Sequence, residues 1–118
     1  GVIPGDRHWL LFVLGSYAAG RDAEPTELLS FVDADWPGAT PWMVCAFGPR
    51  EAACALTAVG LGGQVRVGFE NNTRLPDGTV AADNAALVAN VVQGIRSLGR
   101  PLADADDLRG QLAGLRAG

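Results

Sequence analysis

Polar and apolar residues alternate along Gln64-Val65-Arg66-Val67-Gly68-Phe69-Glu70, and the stretch ends in two amides, Asn71 and Asn72. Side chains of an extended strand point alternately to opposite faces. Val65, Val67 and Phe69 therefore share one face, and Gln64, Arg66, Gly68 and Glu70 share the other. The pattern predicts a strand over Gln64–Glu70, with Arg66 and Glu70 about 13 Å apart along it. A loop over Asn71–Val80 and a long helix from Ala82 to Leu98 follow. Asp83 is placed to cap that helix, its apolar stripe is Leu87, Val88, Val91, Ile95 and Leu98, and Gly99-Arg100-Pro101 stops it. Two earlier units repeat the order of strand, Gly-containing turn and helix. The first is strand His8–Leu14, turn Gly15–Glu24 and helix Pro25–Asp33, with Leu28, Leu29 and Val32 on one helical face. The second is strand Pro41–Phe47, turn Gly48 and helix Pro49–Val59, with Ala52, Leu56 and Val59 as its stripe. Pro25 and Pro49 suit first helical turns, where no backbone N–H is needed. Glu51 sits where a helix dipole favours negative charge. A last helix is expected over Ala105–Leu115, with Leu108, Leu112 and Leu115 turned inward.

Strand-helix-strand-helix order implies an α/β fold with a parallel sheet covered by helices. Three strands leave two open edges. A closed eight-stranded barrel removes both, and it typically takes about 250 residues. The expectation is a single fragment, residues 1–118, holding the C-terminal three strand-helix units of a (β/α)8 TIM barrel. A small open three-layer domain is the competing architecture.

Composition narrows the function. With 48% apolar and 19% charged residues the chain is globular. A net charge of −4 without a basic cluster argues against nucleic acid as the main partner. The longest apolar runs, Trp9–Leu14 and the equally long Trp42–Phe47, fit buried strands and are too short to span a bilayer. No signal-peptide pattern is present, so a cytoplasmic protein is expected. Cys45 and Cys54 lie in apolar surroundings and read as buried small hydrophobes in a reducing compartment. His8 is the single histidine, which rules out a two-histidine metal motif within these residues.

Reactive groups in barrels of this kind sit where strands end and turns begin. Glu70 lies at such an end, with Arg66 on its face and Gly68 between them. Three readings are open: a solvated strand face, an internal Arg–Glu ion pair filling a barrel, or a catalytic pair reaching a polar cleft. The Gly48-Pro49-Arg50 turn offers backbone N–H groups and a cation to an anion, or is simple turn chemistry with a solvated Arg. Ser16 has no neighbouring histidine to activate it. Trp9 and Trp42 read as packing residues, and Asp104, Asp106 and Asp107 as a helix N-terminus.

The run Gly62-Gly63-Gln64-Val65-Arg66-Val67-Gly68-Phe69-Glu70-Asn71-Asn72 resembles the last-strand signature of the β-keto acid cleavage enzymes (BKACE). The similarity continues through Gly78-Thr79-Val80-Ala81-Ala82-Asp83-Asn84-Ala85-Ala86-Leu87-Val88 to Gly99-Arg100-Pro101. Upstream, Phe12-Val13-Leu14-Gly15 and Trp42-Met43-Val44-Cys45-Ala46-Phe47-Gly48 fit the preceding strands. The resemblance implies a zinc-dependent barrel acyltransferase that converts a 3-keto acid and acetyl-CoA to acetoacetate and a new acyl-CoA. Its strand-end zinc ligand falls on Glu70. Its strand arginine, which assists the catalytic acid or base, falls on Arg66. An aspartate often follows the glutamate in the family, and Asn71 stands there instead. An amide cannot accept a proton near neutral pH, so at the catalytic position Asn71 either another group takes the proton, or this branch runs altered chemistry or none. The family's other zinc ligands are two histidines on an early strand that has no counterpart here, and His8 does not match it. Catalytic zinc usually needs three protein ligands. The chain alone is therefore expected to be inactive, within a parent enzyme that acts as a homo-oligomer on a small 3-keto acid and a CoA thioester. Another barrel enzyme with a phosphate or CoA ligand, or a non-catalytic remnant, are the alternatives.

Overall fold

A computed structural model describes residues 9–18, 20–31 and 41–116. Three strands form one parallel sheet in the order β1 (Leu10–Leu14), β2 (Trp42–Ala46), β3 (Gln64–Val65). Leu10 to Leu14 align with Trp42 to Ala46, and Met43 and Val44 with Gln64 and Val65. This is the α/β arrangement expected, and it is consistent with part of a barrel. Both outer edges, β1 and β3, are unpaired among the described residues.

One face of the sheet is covered. Leu10, Phe12, Leu14, Trp42, Val44, Ala46 and Val65 pack with Ala23, Leu28, Cys54 and Ala58 into the core. The covering elements are a 3-10 helix, Pro25–Ser30, and α1, Glu51–Gly60. The other face is open, and Leu11 and Val13 are 41% and 48% exposed there.

The first helix is shorter than its sequence pattern predicts. Glu24 and Glu27 form a reciprocal capping box, and the Phe31 N–H reaches Leu28 C=O at 3.0 Å in 3-10 fashion. That tighter winding sends Leu28 into the core and leaves Leu29 67% exposed. His8, Val32 and Asp33 lie outside the described residues.

In the second unit Pro49 stays in the turn, and α1 begins two residues later. Its sheet contact is also rotated from the expected stripe. Glu51, Cys54, Ala55, Ala58 and Val59 are buried. Leu56 lies instead against Gly94 of α2, Asn84–Ser97, where a Cβ would come within 2.6 Å of it. The helix ends with Gly63 N–H on Ala58 C=O at 2.8 Å and Gly62 N–H on Val59 C=O at 3.0 Å, a Schellman-type close. Gly63 must lack a side chain, because a Cβ there would meet the Trp42 ring at 2.5 Å.

The third strand departs most. Its ladder ends with Arg66 N–H on Val44 C=O at 2.9 Å. The chain then turns at Gly68 rather than running straight to Glu70. Gly68 has φ +156, and a Cβ would meet Asn84 Oδ1 at 2.8 Å. Asn71 and Asn72 both direct their N–H groups back to Gly68 C=O at 3.1 Å. Beyond the turn, Arg74 and Val80 form an antiparallel bridge. Asp83 caps α2 through Ala86 N–H at 2.8 Å, as its position predicted. Leu87 and Val91 are buried on α2, whereas Val88 and Leu98 are 39% and 55% exposed. The helix stops at Gly99, φ +76.

Arg100 then reaches back to the end of α1, donating to the carbonyls of Val59 at 3.2 Å, Gly62 at 3.4 Å and Gly63. The last helix, α3, covers Ala105–Arg116. Asp104 and Asp107 cap it reciprocally, at 2.8 and 3.0 Å. The acidic group is thus a helix start. The expected inward leucines are not inward: Leu108 and Leu112 are 42% and 40% exposed. The side chain of Leu115 lies outside the described residues. Between α3, Arg100 and the start of β3 is a hollow of about 840 Å³.

Candidate functional site

The C-terminal ends of the three strands and the turns that follow them make one mouth. β1 contributes Gly15–Tyr17, β2 contributes Phe47–Arg50, and β3 contributes the arc from Arg66 to Arg74. Because the backbone bends at Gly68, Arg66 and Glu70 are not separated by the length of an extended strand. Arg66 Nη2 lies 3.4 Å from Glu70 Oε2. Within the described residues their side chains are 45% and 67% exposed. Exposed pairs of this kind add about 0–1 kcal/mol to stability. The pair therefore costs little to open toward a ligand.

Arg66 also points a guanidinium N–H at Cys45 Sγ, 3.7 Å away. Burial pushes the Cys45 thiol up, against the opposing pull of the Arg66 charge. Cys54 is pushed up to about 11, chiefly by burial. Both are free and buried, as the sequence suggests, and both are protonated thiols at neutral pH.

The arc is held by all three units. Tyr17 Oη donates to Glu70 C=O at 2.9 Å, with its ring edge-on to Phe47 at 4.4 Å between centroids. Gly48 N–H donates to Asn71 C=O at 3.1 Å. From α1, Glu51 Oε2 accepts Gly68 N–H at 3.1 Å and Oε1 accepts Asn72 Nδ2 at 3.2 Å. Asn72 further spans Arg74, accepting its N–H at 3.0 Å and donating to its C=O at 2.6 Å. Asn84 Oδ1 takes Phe69 N–H at 2.9 Å. Asn71 is 8% exposed, and its side chain makes no hydrogen bond among the described residues. A shallow hollow of about 270 Å³ opens here, lined by Gly48, Phe69, Glu70, Asn71 and Arg74 among others.

The anion reading of the second turn loses its parts to other partners. Arg50 is paired with Glu24, Gly48 N–H is taken by Asn71, and the start of α1 carries its own buried carboxylate, Glu51. Burial pushes the Glu51 carboxyl above its ordinary range, although hydrogen bonds from Gly68 and Asn72 oppose the shift. Trp42 is a core residue and stacks obliquely on Phe12 at 5.9 Å. Among the described residues no three His, Cys, Asp or Glu side chains gather as a metal site. Glu70 is one donor and does not by itself fit zinc.

Sequence reasoning brought out Arg66, Glu70 and Asn71, and the structure assembles them at one mouth. It overlooked Glu51 and Tyr17. Glu51 was read only as a dipole-compatible charge; the signal available was a carboxylate that falls on the sheet-facing side of α1. Nothing local marks Tyr17.

The family described as "BKACE: beta-keto acid cleavage enzyme" matches residues 1–113. The chain is 37% identical over 100 residues to a 3-keto-5-aminohexanoate cleavage enzyme of Fusobacterium nucleatum, covering 83% of this chain and 35% of that protein. The enzyme of the same name from Acetoanaerobium sticklandii is 36% identical over 98 residues, with 83% and 35% covered. A 3-oxoadipate:acetyl-CoA acetyltransferase of Cupriavidus necator is 34% identical over 123 residues, covering 95% of this chain and 39% of the relative. The chain thus spans little more than a third of the length of these curated relatives.

Proposed function

The chain belongs to the β-keto acid cleavage enzyme family, and from that premise we propose that it forms the Arg66–Glu70 side of an acyltransferase active site. The whole protein would take a 3-keto acid and acetyl-CoA and release acetoacetate and a new acyl-CoA. The remaining staves of a (β/α)8 barrel would pair with the free edges of β1 and β3 and cover the open sheet face at Leu11 and Val13. Parallel strand order, helices on a single face and the names of the relatives support this reading. The observation that carries it is the accessible Arg66–Glu70 pair, 3.4 Å apart at the C-terminal mouth of the sheet.

Arg66 carries a planar guanidinium whose N–H donors are set in a fixed fork. Its planar fork suits the carboxylate of a keto acid, or an oxygen gaining negative charge during acyl transfer. Glu70 would be one ligand of a zinc ion, and at least two more would have to come from outside the described residues. Bound there, zinc would supply Lewis-acid polarisation of a carbonyl oxygen. Asn71 can donate a hydrogen bond to substrate and cannot take a proton, so the base lies elsewhere. Burial raises the pKa of the Cys45 thiol beneath Arg66, which disfavours the thiolate form.

The test uses the full-length protein and Glu70→Ala. The wild type should release acetoacetate from a 3-keto acid in the presence of acetyl-CoA, and the variant should lose most of its bound zinc together with that activity. Equal zinc content in both proteins removes Glu70 from the metal site; no acetoacetate from the wild type removes the proposed reaction.

A further inference from the structure

Glu51 is a buried carboxylate without a cation. It is 2% exposed, and no lysine or arginine forms an ion pair with it among the described residues. Leaving an ionised group in such a place costs several kcal/mol unless hydrogen bonds answer it. A turn could be braced more cheaply by a neutral Ser or Asn. What a carboxylate has that these lack is two acceptor oxygens and no donor. The two groups that meet it are both donors: Gly68 N–H on Oε2 at 3.1 Å and Asn72 Nδ2 on Oε1 at 3.2 Å.

Those two donors bracket Phe69, Glu70 and Asn71. One carboxylate from α1 therefore spans the base of the arc, and Glu70 and Asn71 sit on its crown. Asn72 cannot turn its amide over to suit a different partner, because its oxygen and nitrogen are both engaged with the Arg74 backbone. We propose that Glu51 is a positioning residue for the acyl-transfer site, its two oxygens setting the arc that presents Glu70 and Asn71 to substrate. The proposal rests on the function proposed above. It adds to that reading a residue carried by the preceding unit, with no contact of its own to substrate.

The polarity of the contacts supplies the test, made in the full-length protein. Glu51→Gln keeps the shape but turns an amide N–H toward one of the two donors. The arc should shift while the core stays. Hydrogen exchange in a peptide covering 66–74 should accelerate about tenfold, with peptides from β1 and β2 unchanged. A misplacement on the order of 1 Å at a reacting group costs about 100-fold in rate, so kcat should fall about 10- to 100-fold while KM for acetyl-CoA stays within about threefold. Glu51→Ala, which removes both acceptor oxygens, should accelerate exchange in 66–74 and lower kcat at least as far as Glu51→Gln.

The proposal is overturned if Glu51→Gln retains wild-type kcat and exchange, if Glu51→Ala perturbs exchange in 66–74 less than Glu51→Gln does, or if the loss of rate only follows a loss of folded protein. Should Glu51→Gln fail to fold, Glu51→Asp, which keeps two acceptors on a stem one methylene shorter, must show the same local exchange, or the proposal falls. If the wild type releases no acetoacetate, the proposed function fails on that result, while the exchange pattern still decides whether Glu51 sets the arc.

Discussion

At the mouth of the sheet, residues 68–72 accept hydrogen bonds from Tyr17 and Gly48 and donate two to Glu51, each partner carried by a different segment. At the opposite end, α3 turns Leu108 and Leu112 toward solvent and meets the body through a Gln64–Gln111 amide contact of 3.2 Å. Apolar content does not separate the two ends, since α3 has the leucine spacing of a core helix. The difference lies in directed polar contacts. A buried acceptor facing two donors admits one geometry, whereas a leucine stripe without a complementary surface admits many. The mouth is thus organised within these residues, and α3 is shaped without being placed.

The strongest way to break that contrast is at Gly68. In Gly68→Ala the new Cβ would lie 2.8 Å from Asn84 Oδ1 at φ +156, and Asn84 is held by Phe69 N–H. Neither backbone nor neighbour can move without losing a tether. The substitution should cost about 1–3 kcal/mol, read as a shift in the denaturant midpoint at unchanged slope. A cost below about 0.5 kcal/mol would show that the arc yields, and the mouth would then be no better fixed than α3.

The bend at Gly68 also marks where the sequence stopped being legible. The apolar runs Leu10–Leu14 and Trp42–Ala46, the parallel order, the Asp83 cap and the Gly99 stop all follow from local rules, because each is decided within a turn or two of chain. Arg66 and Glu70 could be assigned to one site for the same reason. Their 3.4 Å approach could not, since alternation continues unbroken from Gln64 to Glu70 and predicts a straight strand. What bends it is Glu51, 17 residues earlier. The rotated face of α1 was hidden differently: its sheet contact is made by Cys54 and Ala58, small residues with weak hydrophobic signal, while the larger Leu56 faces Gly94. For α3 the periodicity was read correctly as a helix and wrongly as buried, because an amphipathic stripe says nothing about what covers it.

Acidity probes the brace with less disruption. Burial holds the Glu51 carboxyl above its ordinary value near 4.5. A group whose folded-state pKa is raised binds its proton more tightly folded than unfolded. Its stabilising contribution is complete below the unfolded value and is lost as pH rises through the folded one. The stability of the wild type minus that of Glu51→Gln should therefore increase as pH falls from 7, and level off below the ordinary carboxylate range. Subtracting the variant removes the other acids, including Asp77, whose pKa hydrogen bonds from Thr79 lower. Unfolding free energies taken at several pH values suffice, and a difference that shrinks on acidification would mean that hydrogen bonding outweighs burial at Glu51.

The smallest effect is expected at α3, and its smallness is the informative part. Leu112 is 40% exposed, and the α3 residues that line the hollow of about 840 Å³ are Asp106, Asp107, Gly110 and Gln111, not Leu112. If α3 stands off from the body in solution, Leu112→Ser removes little buried area and should change the stability of this chain by no more than about 0.5 kcal/mol. Were α3 instead to dock through its leucine face, the same leucine would become a buried side chain worth about 1.5–3 kcal/mol. One unfolding curve therefore separates the two placements. A small change keeps α3 as an element whose position the local sequence leaves open, and a large one gives it an apolar anchor to match the polar anchor at the mouth.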